Sequence, residues 1–335
     1  MVVSVFSSFW KTWRYNRKNM DKNIQEFLER VSSAKNIVIM GHKNPDGDSI
    51  CSVLALAHLI DLNYGVQPLC VYDGNISDSL DYIPHRGRIK YFERVDMTMP
   101  VDMAIVMDYG NPAHIGGPQP FVDNAKFVVE IDHHKNDNTI AQLCLNDDTA
   151  AATAVIVYNI IRAGNLKYDS IVSDLLALAI LTDTGNFKYS RNGDALRIMA
   201  DLVDGGVNIR NLIELMNNKQ RKAVLLEART TANAEFFYHG RLALATVCKK
   251  DYKYLDGRGE LILSLLGQIK GVEFVVLLKE QKPEQIGISI RSRRKPINEI
   301  AVALGGGGHE KAAGAIVRDN LENVKTRVLE LFKGE

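Results

Sequence analysis

The sequence predicts an α/β protein: a doubly wound, mostly parallel sheet in the first domain, and a smaller α/β domain after it. Three observations carry this expectation. From Met20 onward, short apolar runs alternate with stretches of helical spacing, the pattern of strand–helix–strand units. Acids and histidines gather where those apolar runs end. Near Gly240 the composition changes, and a second series of strand-like and helix-like segments begins.

Residues 36–40 form a continuous apolar run that stops at Gly41 and reads as a buried strand. Residues 50–61 follow with helical spacing. Further buried strands are expected at 66–72, 103–107 and 126–131, with loop or helical segments between them. Ala- and Leu-rich helices are expected at 149–163 and 170–181. Residues 194–236 read as mostly helical and polar. Beyond them, strands are expected at 242–248, 274–279 and 285–291, and helices at 260–266, 297–304 and 321–332. The expected organisation is a basic tail at 1–19, a catalytic domain at 20–193, a helical connector at 194–238, and a second domain at 239–335 across a cleft.

A chain of 335 residues can bury two cores. Hydrophobic content of 46% and charged content of 24% are ordinary for a globular protein. The net charge of +1 supplies no field for coating long duplex nucleic acid, so a nucleic-acid partner is expected to be small and locally held. Cys51, Cys70, Cys144 and Cys248 form no CxxC pair, which speaks against a structural zinc and for a reducing, cytoplasmic setting. No apolar run reaches the roughly 18 residues of a membrane span, and stable membrane association is not expected. The tail carries Lys11, Arg14, Arg17 and Lys18 among Phe6, Phe9, Trp10, Trp13 and Tyr15. It reads as a disordered extension, or as residues ahead of a true start at Met20; the functional alternative is a weak membrane-surface or RNA-contacting arm.

The chemistry-bearing residues sit at element ends. The first strand runs into Gly41-His42-Lys43-Asn44-Pro45-Asp46-Gly47-Asp48-Ser49; the third ends at Asp108; the fourth ends in Asp132-His133-His134; a helix carries Thr182-Asp183-Thr184-Gly185. Carboxyl ends of parallel strands line one edge of a doubly wound sheet, where ligands bind. Gly47 would allow a tight turn that brings Asp46 and Asp48 together. A single Asp after a strand is usually a turn former or helix cap; the ordered set is not explained that way. Four carboxylates at close range repel unless protonated or neutralised. Two divalent ions would balance Asp46, Asp48, Asp108 and Asp183. Oxygen and imidazole donors suit Mn2+, with Mg2+, Co2+ or Fe2+ as alternatives. Two such ions about 3.5–4 Å apart can activate water and clamp an in-line phosphoryl displacement. His58, His85 and His239 have no acidic motif around them, and His114 near the Asp108 loop is left undecided.

These residues carry a resemblance. The set GHKNPDGDS, Asp108, the DHH run at 132–134 and TDTG at 182–185 resembles the DHH phosphoesterase family, and Gly305–Gly314 (GGGGHEKAAG) resembles its DHHA1-type second domain. The likeness spans about residues 24–335 and leans to the nanoRNase/pAp-phosphatase subgroup. It implies that His42, Asp46 and Asp108 hold one metal, and that Asp48, Asp108, His133 and Asp183 hold the second, with Asp108 bridging. It further implies that His134 faces the substrate phosphate or leaving oxygen and that Asp132 orients the histidines. The implied activity is exonucleolytic hydrolysis of oligoribonucleotides of about two to five nucleotides, and of 3′-phosphoadenosine 5′-phosphate to AMP, by analogy with the family. The implied partners are therefore short RNA and nucleotides, and the implied assembly is a homodimer.

In the second domain, Gly305–Gly308 read as a flexible loop of exposed N–H groups suited to a phosphate. The resemblance adds Arg291, Gly306, Gly307, Gly308 and His309 as substrate contacts. One departure stands out: residues 108–114 lack the Arg that many relatives carry there. Rival readings are a linear or cyclic dinucleotide phosphodiesterase, a pyrophosphatase, against which the glycine run speaks, and a non-catalytic nucleic-acid-binding scaffold, against which the complete ligand set speaks.

Overall fold

The apolar runs become the centre of a parallel sheet. The computed structural model describes residues 20–74, 76–77, 80–135, 138–190, 192–255, 259–308 and 310–334. The expected tail at 1–19 and His309 lie outside them. The chain divides into two compact units between Asn217 and Asn218.

In the first unit, a helix α1 (residues 20–33) precedes β1 (Ile37–Met40). Then follow α2 (Gly47–Tyr64), β2 (Leu69–Tyr72), β3 (Ile89–Tyr91), β4 (Met103–Met107), α3 (Gln119–Asp123), β5 (Val128–Asp132) and β6 (Leu143–Asn146). Helices α4 (Thr153–Gly164), α5 (Ser170–Asp183), α6 (Asp194–Asp204) and α7 (Ile209–Met216) complete it. The strands form one sheet in the order β3-β2-β1-β4-β5-β6, every neighbouring pair parallel. All residues of β1, β4 and β5 are buried, as a sheet covered on both faces requires. Alternate residues serve opposite faces: Ile37 and Ile39 join the core under α1, α2, α4 and α5, while Val38 and Met40 join a smaller core with Phe121 and Val122 of α3. The strand order reverses between β1 and β4, the crevice where such sheets take ligands.

β3 and β6 stand where the sequence predicts no strand. Each is only three or four residues long, too short to show a period. The predicted helix at 149–163 begins later, at Thr153, and residues 147–152 form a loop that matters below.

The second unit opens with α8 (Arg221–Ala232) and then β7 (Glu235–Phe237), β8 (Leu242–Val247), α9 (Lys249–Tyr252), α10 (Glu260–Gln268), β9 (Phe274–Lys282) and β10 (Gln285–Ser292). It closes with α11 (Asn298–Ala303), β11 (Gly307–Gly308), β12 (Ala312–Val317) and α12 (Leu321–Phe332). Its sheet runs β11-β12-β10-β9-β8-β7, with only β8 and β9 parallel. Phe274, Val276 and Leu278 pack toward Val324, Val328 and Phe332 of α12; Val275 and Leu277 pack toward Ile262, Leu263 and Leu266 of α10. The expected connector at 194–238 falls on both sides of the division. α6 and α7 bury Ile198, Leu202 and Leu212 in the first core, and α8 buries Leu226 in the second. Among the described residues, no helix is long and apolar enough to cross a membrane.

Candidate metal centre

The loop after β1 feeds directly into α2, whose N-cap is Asp46. Its Oδ1 accepts a hydrogen bond from the Ser49 amide at 3.2 Å, while its Oδ2 lies 3.8 Å from His42 Nε2. Asp46 is thus both a helix cap and a member of the cluster. His42 turns Nδ1 to the Lys43 carbonyl at 2.9 Å, which directs Nε2 toward Asp46 and toward Asp108 Oδ2, 3.9 Å away.

Gly47 corrects an expectation. It is the first residue of α2 rather than the pivot of a turn, and a Cβ there would fall 2.6–2.8 Å from the Thr182 side chain. Its bareness lets α2 approach α5 just before Asp183. Gly47→Ala is therefore expected to cost about 1–3 kcal/mol by overpacking and, by displacing Asp183, to weaken divalent-cation binding at the candidate cluster. Thermal melts and Mn2+ titrations beside the wild type would measure both; an unchanged Tm and unchanged binding would mean the contact is slack.

Asp48 lies in the first turn of α2, fully buried. Its Oδ2 accepts from Thr153 N at 2.7 Å, and its Oδ1 from Ser52 Oγ at 2.8 Å and Ala154 N at 3.3 Å. Residue Ala152, the N-cap of α4, offers no side-chain cap. Asp48 caps that helix from a different one, with its carboxyl at the positive end of the α4 dipole.

Asp108 follows β4 in the left-handed region at φ 49°, a conformation disfavoured without a local partner. Its Oδ1 takes a hydrogen bond from Thr153 Oγ1 at 3.2 Å and lies 3.5 Å from both His133 Nε2 and His134 Nδ1. His133 places Nδ1 3.3 Å from the Ala150 carbonyl, in the loop before α4, and Nε2 3.6 Å from Asp183 Oδ2. Asp132, wholly buried at the end of β5, accepts from Tyr109 N at 3.0 Å and Gly110 N at 2.7 Å through Oδ2. Its Oδ1 accepts from His134 N at 2.9 Å and Nδ1 at 2.8 Å.

Three sets of ligand atoms converge: His42, Asp46 and Asp108; Asp48, His133 and Asp183; Asp108, His133 and His134. The electrostatics fit divalent cations. Burial, then Asp108 and Asp183, push the Asp48 carboxyl well above the usual carboxylate range. Burial first, with Asp46 and Asp108 adding to it, pushes Asp183 up to about 6 against the pull of His133. Burial would lower His42, but Asp46 and Asp108 outweigh it and raise it to about 9. Without a cation the site holds its acids with protons, on the carboxyls and on the raised imidazoles of His42, His133 and His134. The donor set, oxygen and imidazole with no thiolate, suits hard or borderline divalent ions. Asp132 behaves differently: burial raises it, but bonds from His134 and the backbone hold it below the usual range.

His114 is not in the cluster; its Nδ1 lies 3.0 Å from the Tyr109 carbonyl. In the second unit, the Arg291 guanidinium is engaged by Glu260, Nη2 to Oε2 at 2.6 Å. The glycine run is not the flexible loop expected. Gly307 and Gly308 form a short edge strand paired with Gly314 and Ala313. A Cβ on Gly306 would meet the Gly314 carbonyl at 2.0 Å and one on Gly308 the Ala312 carbonyl at 2.6 Å. Close backbone approach explains these two glycines, while Gly305 and Gly307 face open space.

Residues 36–181 match the DHH family, N-terminal domain, and residues 252–334 match the DHHA1 domain. The chain belongs to the DHH family. This DHH phosphoesterase is 28% identical over 315 residues to the bifunctional oligoribonuclease and PAP phosphatase NrnA of Thermus thermophilus, covering 93% of each chain. It is 26% identical over 291 residues to a probable protein of that name from Streptococcus mutans, covering 86% of this chain and 91% of the other. Among solved structures, an exopolyphosphatase-related protein from Bacteroides fragilis superposes with a TM-score of 0.85 at 24% identity, over 93% of this chain and 97% of that one. At that identity the likeness is one of fold.

Tyr109, Glu130, Asn146 and Thr153 of this DHH protein are not singled out by the sequence. One of them left a signal: Glu130 is an acid inside the otherwise apolar run Val128–Ile131, two residues before Asp132.

Proposed function

We propose that this protein is a two-metal phosphodiesterase that hydrolyses short oligoribonucleotides to mononucleotides and 3′-phosphoadenosine 5′-phosphate to AMP. The observation that carries the reading is the pair of adjoining groups, His42/Asp46/Asp108 and Asp48/His133/Asp183, at the strand-order reversal. The activities in the names of the Thermus and Streptococcus relatives support the substrate class. In this reading His42, Asp46 and Asp108 hold one cation and Asp48, Asp108, His133 and Asp183 the other, Asp108 being shared. When bound, two divalent ions, Mn2+ first, supply charge for the phosphoryl oxygens and a water acidic enough to attack at neutral pH. Asp132 accepts a hydrogen bond from Nδ1–H of His134 and favours the imidazolium, so that Nε2 can deliver a proton to the leaving oxygen.

The test is product analysis with Mn2+ on labelled RNA of several lengths, 3′-phosphoadenosine 5′-phosphate, pApA, cyclic di-AMP and pyrophosphate. Rapid conversion of the shortest RNAs to mononucleotides, together with cleavage of the bisphosphate, is the expected result. Activity confined to pApA or cyclic di-AMP would move the protein to dinucleotide turnover; no turnover at all would favour a binding scaffold. Arg291 and Gly306–Gly308 are the proposed substrate contacts. Arg291→Ala should raise KM about tenfold, the loss of one charge-assisted contact, and leave Mn2+ stoichiometry unchanged; titration and steady-state kinetics check this.

A further inference from the structure

Glu130 lies in β5 with 1% of its surface exposed. A buried carboxylate survives only where donors satisfy it. Its Oε2 accepts from Tyr109 Oη at 2.7 Å and Thr139 Oγ1 at 2.7 Å, and its Oε1 accepts from Asn146 Nδ2 at 3.2 Å. These three donors come from the segment after β4, the segment after β5 and the end of β6. None of them is a metal ligand in the reading above, but Tyr109 adjoins one, Asp108.

Tyr109 directly follows Asp108. Its hydroxyl is held by Glu130 and its amide by Asp132 Oδ2 at 3.0 Å. Glu130 and Asp132 are two residues apart on one strand and therefore share a face. Together they grip the residue after Asp108 at both ends, and so fix the peptide that follows the left-handed φ of 49°. Asn146 makes a second link: its Nδ2 also donates to the His134 carbonyl at 3.1 Å.

We propose that Glu130 is a positioning residue for the hydrolysis, acting through Tyr109 on Asp108 and through Asn146 on His134. The proposal rests on the two-metal reading and deepens it. A carboxylate is needed because all three neighbours donate. The amide of a glutamine can keep its oxygen toward Asn146 only by turning N–H toward Tyr109 and Thr139, whose hydroxyls must then rotate to accept, so the hold on Tyr109 changes. A small displacement of Asp108 then reaches both candidate metal positions, where misplacement is costly.

The test uses the full chain and the variants Glu130→Gln, Tyr109→Phe and Asn146→Ala. Mn2+ affinity is measured by calorimetry without substrate, followed by kcat and KM on a dinucleotide and by thermal melts. Glu130→Gln and Tyr109→Phe are expected to weaken Mn2+ binding at least fivefold and to lower kcat ten- to a hundredfold, with KM within threefold. Asn146→Ala is expected to lower kcat while leaving Mn2+ affinity unchanged, since its link runs to His134. Should Glu130→Gln fail to fold, Tyr109→Phe removes a single hydroxyl and carries the same test. Wild-type Mn2+ affinity and kcat in Tyr109→Phe and Glu130→Gln, even with a lowered Tm, would make the network merely structural and overturn the proposal. A wild-type protein that binds no Mn2+ would instead remove the two-metal reading on which it stands.

Discussion

Asp108→Asn is expected to reduce kcat/KM by at least about 10³-fold, roughly 4 kcal/mol of transition-state stabilisation, while making the metal-free protein more stable. Asp108 belongs to two of the three converging groups, and its two oxygens face different imidazoles: Oδ2 toward His42, Oδ1 toward His133 and His134. Asparagine matches its shape, and its carbonyl can keep the bond from Thr153 Oγ1. What disappears is a buried charge, and with it the repulsion that helps push Asp48 upward. The attraction that raises His42 goes too, so the gain in stability is read above about pH 9, where that imidazole is neutral. Opposite signs for activity and stability distinguish a ligand from a packing residue. Kinetics with Mn2+ and melts in a chelator would measure the two effects. Asp183→Ala and His133→Ala should also abolish turnover; full activity in either, with Mn2+ present, would remove the two-metal account.

The metal-free protein is expected to lose stability as pH rises, and Mn2+ to cancel that loss. The Asp183 carboxyl titrates near 6 in the fold against an ordinary 3.8. Its contribution is complete below 3.8 and is lost as pH rises through 6. His42 titrates near 9 against 6.5, so its contribution is complete below 6.5 and lost as pH rises through 9. His133, raised by Asp108 and Asp183 against the effect of burial, acts in the same sense. Over the window from 6.5 to 9, His42 alone accounts for at most about 3 kcal/mol. Asp132, held low, works in the opposite sense and matters only at the acid end. Bound cations need ionised carboxylates and neutral imidazoles, so metal binding releases protons and strengthens with pH. Melting curves from pH 5 to 9, with Mn2+ and with chelator, should diverge steadily. A chelator curve that stays flat from 6.5 to 9 would contradict the geometry of His42.

The first sheet was legible because its central strands are buried on both faces and therefore written as unbroken apolar runs. β1, β4 and β5 needed no periodicity to be found. β12 is hard to read: its first four residues, Ala312-Ala313-Gly314-Ala315, lack β-branched bulk, only Ile316 and Val317 carry it, and pairing with β10 and β11 makes the strand. The candidate site divides in the same way. His42, Asp46, Asp48, Asp108, His133 and Asp183 stand at element ends, where polar residues after apolar ones are conspicuous. The groups that hold them do not stand out. Thr153 reads as a helix residue, the Ala150 carbonyl has no side-chain signature at all, and the cap that α4 receives from Asp48 joins residues 105 positions apart. Gly47 and the glycine run are conspicuous but ambiguous, because a sequence reports the missing Cβ without saying whether the space is needed for rotation or for a neighbour.

Among the described residues, every candidate ligand lies between His42 and Asp183, and the compact unit containing them ends at Asn217. Synthesis proceeds from the amino terminus, and domains generally fold as they emerge from the ribosome. The first unit can therefore assemble its ligand cluster while the second is still being translated, and metal loading becomes an event open to the nascent chain. A truncated product released after Asn217 would still carry a complete set of ligands. The cell's exposure to a loaded but unsupervised hydrolase would then depend on how quickly such fragments are degraded.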